Sequence, residues 1–155
     1  MSTLLKPIIV PPGTGKELHA FGNTLSVILS GAQTNGKFAV TSEVTPPGGG
    51  PRLHVHSHED ELFLVVEGQI SYFVEGRWTN VAVGGAVYLP RGTAHSYRNL
   101  GTTPSRHWII TTPSGFEMFF AQCADEFAQA GGPDMEKIVA IHSEHGIQLL
   151  DENSS

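Results

Sequence analysis

The sequence holds a single cysteine, Cys123, so no internal disulfide can form and a thiolate-rich metal site is excluded. A lone thiol fits a reducing compartment. Basic residues are also few. Nine Lys and Arg stand against fifteen Asp and Glu, a formal net charge of −6, with no basic run and no aromatics interleaved with basic residues. The electrostatic footprint of a nucleic-acid or anionic-membrane binder is therefore missing, and neither partner is expected. Long apolar runs are missing too. The opening MSTLLKPIIVPPG is broken by Lys6 and Pro7 before it reaches signal-peptide length, and no later stretch approaches the roughly 20 residues of a membrane span. The expected location is cytoplasmic.

What the chain has in quantity is turn formers. Eighteen Gly and ten Pro, with only 15% charged residues, point to many turns around short strands. At 155 residues there is one domain's worth of chain, enough to bury a sizeable core. Leu25, Val27 and Leu29 alternate, as do Phe38, Val40, Ser42 and Val44, which predicts two strands ahead of the linker TPPGGGP. Beyond it ELFLVVEG, QISYFVEGRW, AVYLP, HSYRNL and HWIITT read as further short strands between Gly, Pro and Asn breaks. Strands at this spacing predict an all-β barrel or double-sheet sandwich.

From Pro113 the period changes. Ser114 and Glu117 carry a capping-box signature, apolar residues recur at Phe116, Phe119, Phe120, Cys123 and Phe127, and Gly131 stops the helix. A second helix follows, with Pro133 in its first turn, Met135, Ile138, Val139 and His142 on one face, and Gly146 as its stop. The expected organisation is a barrel over 1–112 and a helical tail over 113–155, packed on the barrel as part of the same domain. One strand has apolar residues on both faces, with Glu61, Phe63 and Val65 on one and Leu62, Leu64 and Val66 on the other. Its outside must be covered, by the tail helices or by a second subunit. A small barrel with such a strand often dimerises, and a homodimer is the expected assembly.

The stretch PRLHVHSHEDELFLVVEG places His54, His56 and His58 on alternate positions, and in a strand alternate side chains share a face. A polar strand end is the plain explanation of an isolated H-x-H. Here more converges. His54 and His56 leave a strand end, Ser57 to Asp60 are turn-forming, and Glu61 opens the next strand, so it can point back to the same place. In GGAVYLPRGTAHSYRN, Pro90 and Gly92 make a turn that delivers His95 at the start of a strand. Three neutral imidazoles and one carboxylate suit one borderline divalent ion per chain, Fe, Mn, Ni, Co, Cu or Zn. A six-coordinate ion would keep two positions open, as a catalytic site does.

These residues carry a family resemblance. Gly48, His54, His56, Glu61 and Gly68 stand at the spacing of the first cupin motif, and Gly84, Pro90, Gly92, His95 and Asn99 at that of the second. The short separation between Gly68 and Gly84 is like that of microbial members. The chain thus resembles a single-domain cupin, which implies a double-stranded β-helix (jelly-roll) barrel with metal ligands His54, His56, Glu61 and His95. The tail beginning TTPSGFEMFF resembles that of quercetin-dioxygenase-like cupins, where a helical extension follows the barrel. In the flavonol dioxygenases the glutamate is also proposed to take the substrate's hydroxyl proton, and Glu61 holds that position. A carboxylate beside an apolar strand and a cation can titrate near neutrality, since burial raises its pKa and the cation lowers it. A plain ligand without base function is the alternative.

His58 offers a second register, with His56 and His58 as the pair and Gly50 correctly placed for it. The spacing of His54 and His56 to Glu61 is the quercetinase-like one and is preferred, which leaves His58 in the turn. His107, between apolar neighbours, reads as a core or pocket-lining histidine. His142 and His145, at i and i+3 with no third ligand nearby, read as an ordinary helix end. Phe63, Tyr72, Tyr97, His107 and Phe116 are the candidate lining of a pocket, with aromatic core as the alternative. Three functional classes follow from the resemblance. They are an O2-dependent dioxygenase acting on a small hydroxylated aromatic, a non-redox metal enzyme (isomerase, lyase or decarboxylase), and a small-molecule-binding module whose metal only orders the barrel.

Overall fold

A computed structural model describes residues 5–151. Hairpin β1 (Lys16–Ala20) and β2 (Asn23–Leu29) turns at Phe21 and Gly22, both with positive φ (55° and 79°), as a two-residue turn matching the strand twist demands. A single-turn helix α1 (Gly31–Thr34) leads to β3 (Ala39–Thr45), and β4 (His54–His56) follows the Gly-rich linker. Next come β5 (Asp60–Glu67), β6 (Gln69–Val74), β7 (Arg77–Ala82), β8 (Ala86–Leu89), β9 (His95–Arg98) and β10 (Ser105–Thr112). The run QISYFVEGRW is therefore not one strand. The chain reverses at Glu75 and Gly76, again with positive φ, into the β6–β7 hairpin.

The strands form two antiparallel sheets, a six-stranded one in the order β1-β2-β3-β10-β5-β8 and a five-stranded one that includes β4-β9-β6-β7. Phe63, Val65, Ile70, Tyr72, Leu89, Tyr97 and Ile109 fill the space between them. On β3 the apolar alternation marks the strand but not the face turned to the barrel interior. Thr41, Glu43 and Thr45 point inward, each 1% exposed, while Val40 and Val44 belong to the opposite face.

Helices α2 (Phe116–Phe127) and α3 (Met135–Glu144) bury Phe119, Phe120, Cys123 and Ile138 against Leu18 and Leu25 of the first hairpin. The expected capping box at the start of α2 does not form. The helix begins two residues after Ser114, so Gly115 is its cap, and Glu117 accepts instead from Gly115 N (2.9 Å) and Gly31 N (2.8 Å). On α3, Asp134 rather than Pro133 makes the start, accepting from Glu136 N at 3.0 Å and Lys137 N at 3.4 Å. The tail is also more than helical. Ile147–Leu149 forms β11 and closes the edge of the five-stranded sheet, with Ile147 opposite His56 and Leu149 opposite His54. The helices pack on β1, β3 and β11, away from the outer face of β5, where Val66 is 42% exposed beside exposed Trp108 and Tyr88. Among the described residues no helix is long and apolar enough to cross a membrane.

Candidate metal centre

Strand β4 is three residues long, and its pleat sends His54 and His56 into the barrel with Val55 between them on the other face. His95 is the cross-strand partner of His54 in the register of β4 and β9. Ring nitrogens of His54, His56 and His95 all lie within 4.8 Å of one another, and all three residues are buried. Glu61 arrives from the opposite sheet. Its Oε2 is 2.9 Å from His95 Nε2 and 3.6 Å from His56 Nε2.

The other nitrogen of each ring is anchored. His54 Nδ1 is 2.7 Å from Arg52 O, His95 Nδ1 is 2.9 Å from Thr93 O, and His56 Nδ1 is 3.3 Å from Glu59 Oε2. Each acceptor takes the Nδ1 proton, which leaves Nε2 as a lone-pair donor facing the centre, the outer-shell arrangement that orients metal-ligating imidazoles. Turns are anchored as well. Arg91 N and Nε each donate to Asp60 Oδ1 at 2.9 Å, and Gly92 N donates to His56 O at 2.7 Å, so the loop carrying His95 is tied to both strands that carry its neighbours.

A metal ion fits this donor set. His95 Nε2 and Glu61 Oε2 are buried with no hydrogen-bond partner despite their proximity, which is a costly state for two polar atoms unless a cation takes both lone pairs. Electrostatics agree. Burial alone would raise the Glu61 carboxyl, but the charge of His56, with His95 and His54, outweighs it and holds the group down at about 2. That corrects the expectation of a carboxylate titrating near neutrality. Burial, then repulsion by His95 and His56, lowers His54 to about 3. Burial would lower His56 as well, but Glu61 and Glu59 overcome it and raise that ring.

A cavity of about 270 Å³ opens on the cluster. His54, His56 and Glu61 form its polar floor, Tyr97, Phe116, Phe119 and Ile138 its apolar wall, and Asn23 and Glu43 a further polar wall. Of the aromatic candidates, Tyr97 and Phe116 line it, while Phe63, Tyr72 and His107 are buried in the barrel core, where the Tyr72 hydroxyl meets His107 Nδ1 at 2.8 Å. Burial pushes the phenols of Tyr72 and Tyr97 well above their ordinary range. His58 is exposed and outside the cluster, and the register based on it is not formed. His142 packs its Nδ1 on Ile138 O at 2.7 Å, and His145 meets Gln122, so the two make no metal pair. Sequence reading missed Glu59, Asn23 and Glu43. The only signal for Glu43 was its place on the second face of an alternating strand.

The fold and site together define an antiparallel double-sheet β-barrel with a buried cluster of three histidines. Residues 42–111 match the family model described as "Cupin domain". Over those residues the chain matches a cupin domain, and the chain is similar to quercetin-dioxygenase-like cupins. It is 27% identical over 121 residues to a quercetin 2,3-dioxygenase of Bacillus subtilis, covering 78% of this chain and 36% of that protein, so it spans about a third of that relative's length. Among solved structures, a predicted oxalate decarboxylase from Thermotoga maritima aligns with TM-score 0.62 at 19% identity, covering 68% of this chain and 99% of the other. The polyketide cyclase RemF from Streptomyces resistomycificus aligns with TM-score 0.61 at 22% identity, covering 70% and 81%. These likenesses show the fold.

Proposed function

We propose that the protein is a metal-dependent dioxygenase that oxidises a small hydroxylated aromatic, flavonol-like in its acidic hydroxyl, with one divalent transition ion held by His54, His56, Glu61 and His95. One observation carries the reading: Glu61 lines, with His54 and His56, a cavity whose remaining wall is largely aromatic and aliphatic, and its Oε2 is orphaned together with His95 Nε2 2.9 Å behind it. A bound ion would supply Lewis acidity toward the substrate's hydroxyl and the one-electron chemistry that O2 requires. The likeness to a quercetin dioxygenase supports this choice of chemistry.

The chain's own residues divide the remaining work. Tyr97, Phe116 and Phe119 sandwich an aromatic ring and keep water from the centre. Glu61 stands at the centre to receive the hydroxyl proton on a carboxylate oxygen. A carboxylate held at about 2 is a weak base, so it takes that proton only from a hydroxyl already acidified at the site. His54 and His95, fixed through backbone carbonyls, hold the geometry while the proton moves. The cavity, at about 270 Å³, sits at the lower edge of ligand pockets, roughly 300 Å³ and above, and favours a small planar molecule.

The test is an oxygen electrode run on wild type and Glu61→Gln, each loaded in turn with Fe, Mn, Ni, Co and Cu, against flavonols, diketones and catechols. Gln keeps size and a ligating oxygen but cannot take the proton. Uptake should fall by at least about a hundredfold, the scale of a missing general base. Equal uptake in both proteins removes Glu61 as the base. No uptake by wild type with any ion rejects the dioxygenase and favours a non-redox metal enzyme, which the decarboxylase and cyclase names of structural neighbours support.

A further inference from the structure

One buried carboxylate that the proposed reaction leaves unused is Glu43. It sits on β3 opposite His107 of β10, whereas Glu61 sits on β5 opposite Thr111 of the same strand. Four residues along β10 separate the two positions, about 13 Å at roughly 3.3 Å per residue. Yet both carboxylates line one cavity. The two carboxylates therefore enter the cavity from well-separated strand positions, and the same cavity has an apolar lining that includes Phe116, Phe119 and Ile138.

The Glu43 position is organised rather than incidental. Tyr97 donates its hydroxyl to Glu43 Oε1, Asn23 Nδ2 donates to the same oxygen at 3.0 Å, Thr45 Oγ1 at 3.3 Å, and His107 Nε2 lies 3.6 Å from it. Every one of these contacts falls on Oε1. Among the described residues none uses Oε2. Asn23 is constrained in turn: facing a carboxylate, which only accepts, it must present its N–H, and its Oδ1 is left pointing elsewhere. That oxygen is buried, in a residue 6% exposed that lines the cavity, and it has no hydrogen-bond partner. An orphaned buried carbonyl beside a carboxylate oxygen with no partner asks for a hydrogen-bond donor from outside the chain.

We propose that Glu43 and Asn23 form a second subsite, an acceptor pair that takes a hydroxyl of the ligand at the end remote from the histidine cluster. The inference rests on the reading that the cavity binds a hydroxylated aromatic at that cluster, and it adds the requirement for a second, distal hydroxyl. Two acceptors with no donor between them discriminate by sign. A hydroxyl donates to them, a methoxy oxygen at the same place is repelled, and a bare ring leaves both unpaired.

The probes are 3-hydroxyflavone and its derivatives with one hydroxyl or one methoxy added at the 4′ or the 7 position. Binding is measured by calorimetry to the zinc-loaded protein under argon, so that no turnover intrudes. For wild type, an added hydroxyl at one of the two positions should tighten binding at least roughly tenfold over 3-hydroxyflavone, the scale of a hydrogen bond to a charged group. Glu43→Gln then inverts the site. Its carbonyl stays under Tyr97, Asn23 and Thr45, and its NH2 takes the place of Oε2, so the hydroxyl loses its advantage and the matching methoxy derivative gains one. A purely structural Glu43 would not reverse a preference. Asn23→Ala, which keeps the carboxylate, should weaken the hydroxyl preference without inverting it, and serves if Glu43→Gln does not fold. Equal wild-type affinity for all probes, failure of any to bind, or a hydroxyl preference untouched in both variants overturns the subsite. Discriminating binding without oxygen uptake on the redox-active ions would keep the subsite and reject the dioxygenase, while oxygen uptake without discrimination would do the reverse.

Discussion

His95 Nε2 and Glu61 Oε2 lie 2.9 Å apart at the barrel's end, in residues only 2% and 3% exposed, and neither makes a hydrogen bond. Two lone pairs held this close repel unless a proton or a cation sits between them. A cation satisfies both and also draws in the Nε2 atoms of His54 and His56. Wild type purified without a histidine tag should therefore hold one transition ion per chain by elemental analysis. His54→Ala together with His95→Ala should lose it, whereas His58→Ala, which removes an exposed ring outside the cluster, should leave the content unchanged. Full occupancy in the double variant would sink the ligand set.

Gly50 fixes where the histidine strand enters. A Cβ there would stand 1.9 Å from Tyr97 O, at a φ of 149° that side chains rarely adopt. The linker backbone lies directly on β9, with Gly48 N donating to Asn99 O at 2.7 Å and Asn99 N to Gly49 O at 3.0 Å. Gly50→Ala must separate the linker from β9 and displace His54 from His95. It should cost at least about 2 kcal/mol in urea unfolding and reduce metal content. Gly48→Ala has open space around its Cβ and only an unfavourable φ of 76°, so about 1 kcal/mol and normal metal content are expected.

The spacing of His54, His56, Glu61 and His95 was legible because a strand's period of two and a turn before β9 dictate that such residues converge. Their anchors were not. Two of the three Nδ1 partners are backbone carbonyls, of Arg52 and Thr93, and every residue has a carbonyl. Glu43 stayed hidden for a different reason. Alternation on β3 yields two faces, and the usual rule buries the apolar one, but here the barrel interior takes Thr41, Glu43 and Thr45 because Tyr97, Asn23 and Thr45 donate hydrogen bonds to Glu43 and Thr41 donates to Ile109 O. Strand β11 depends on its partner. Ile147–Leu149 is too short to declare itself and exists as a strand only against the open edge of β4.

Cys123 should be inert in the folded protein. It is fully buried on α2, and burial pushes its thiol up to about 12, so almost no thiolate exists at neutral pH. A thiol reagent such as an aromatic disulfide should label it only as fast as the chain unfolds, and stoichiometrically in guanidinium. Rapid labelling of native protein would mean that α2 leaves the barrel readily.

Acid should destabilise the metal-free protein, and the sign follows from His54. Folded, it titrates at about 3 because it is buried beside His95 and His56, while unfolded it titrates at 6.5. Below pH 6.5 the unfolded chain therefore binds a proton that the folded chain does not, and stability falls by up to about 1.4 kcal/mol per pH unit until the folded value is reached. His142, lowered chiefly by burial, acts in the same direction. His56 opposes them, since Glu61 and Glu59 raise it and its charged form favours the folded state at low pH. The opposition is limited: His56 is one ring against two, and the large shift is that of His54. Glu61, depressed to about 2 from 4.5, adds a further loss below pH 4.5. Urea unfolding of chelator-treated protein should thus show stability flat above about pH 7.5 and lower at pH 5 by at least about 1 kcal/mol. His54→Gln should flatten that slope between pH 6.5 and 5. A metal-free protein that gains stability on acidification over this range would show that the charge of His56, rather than the burial of His54, governs the cluster.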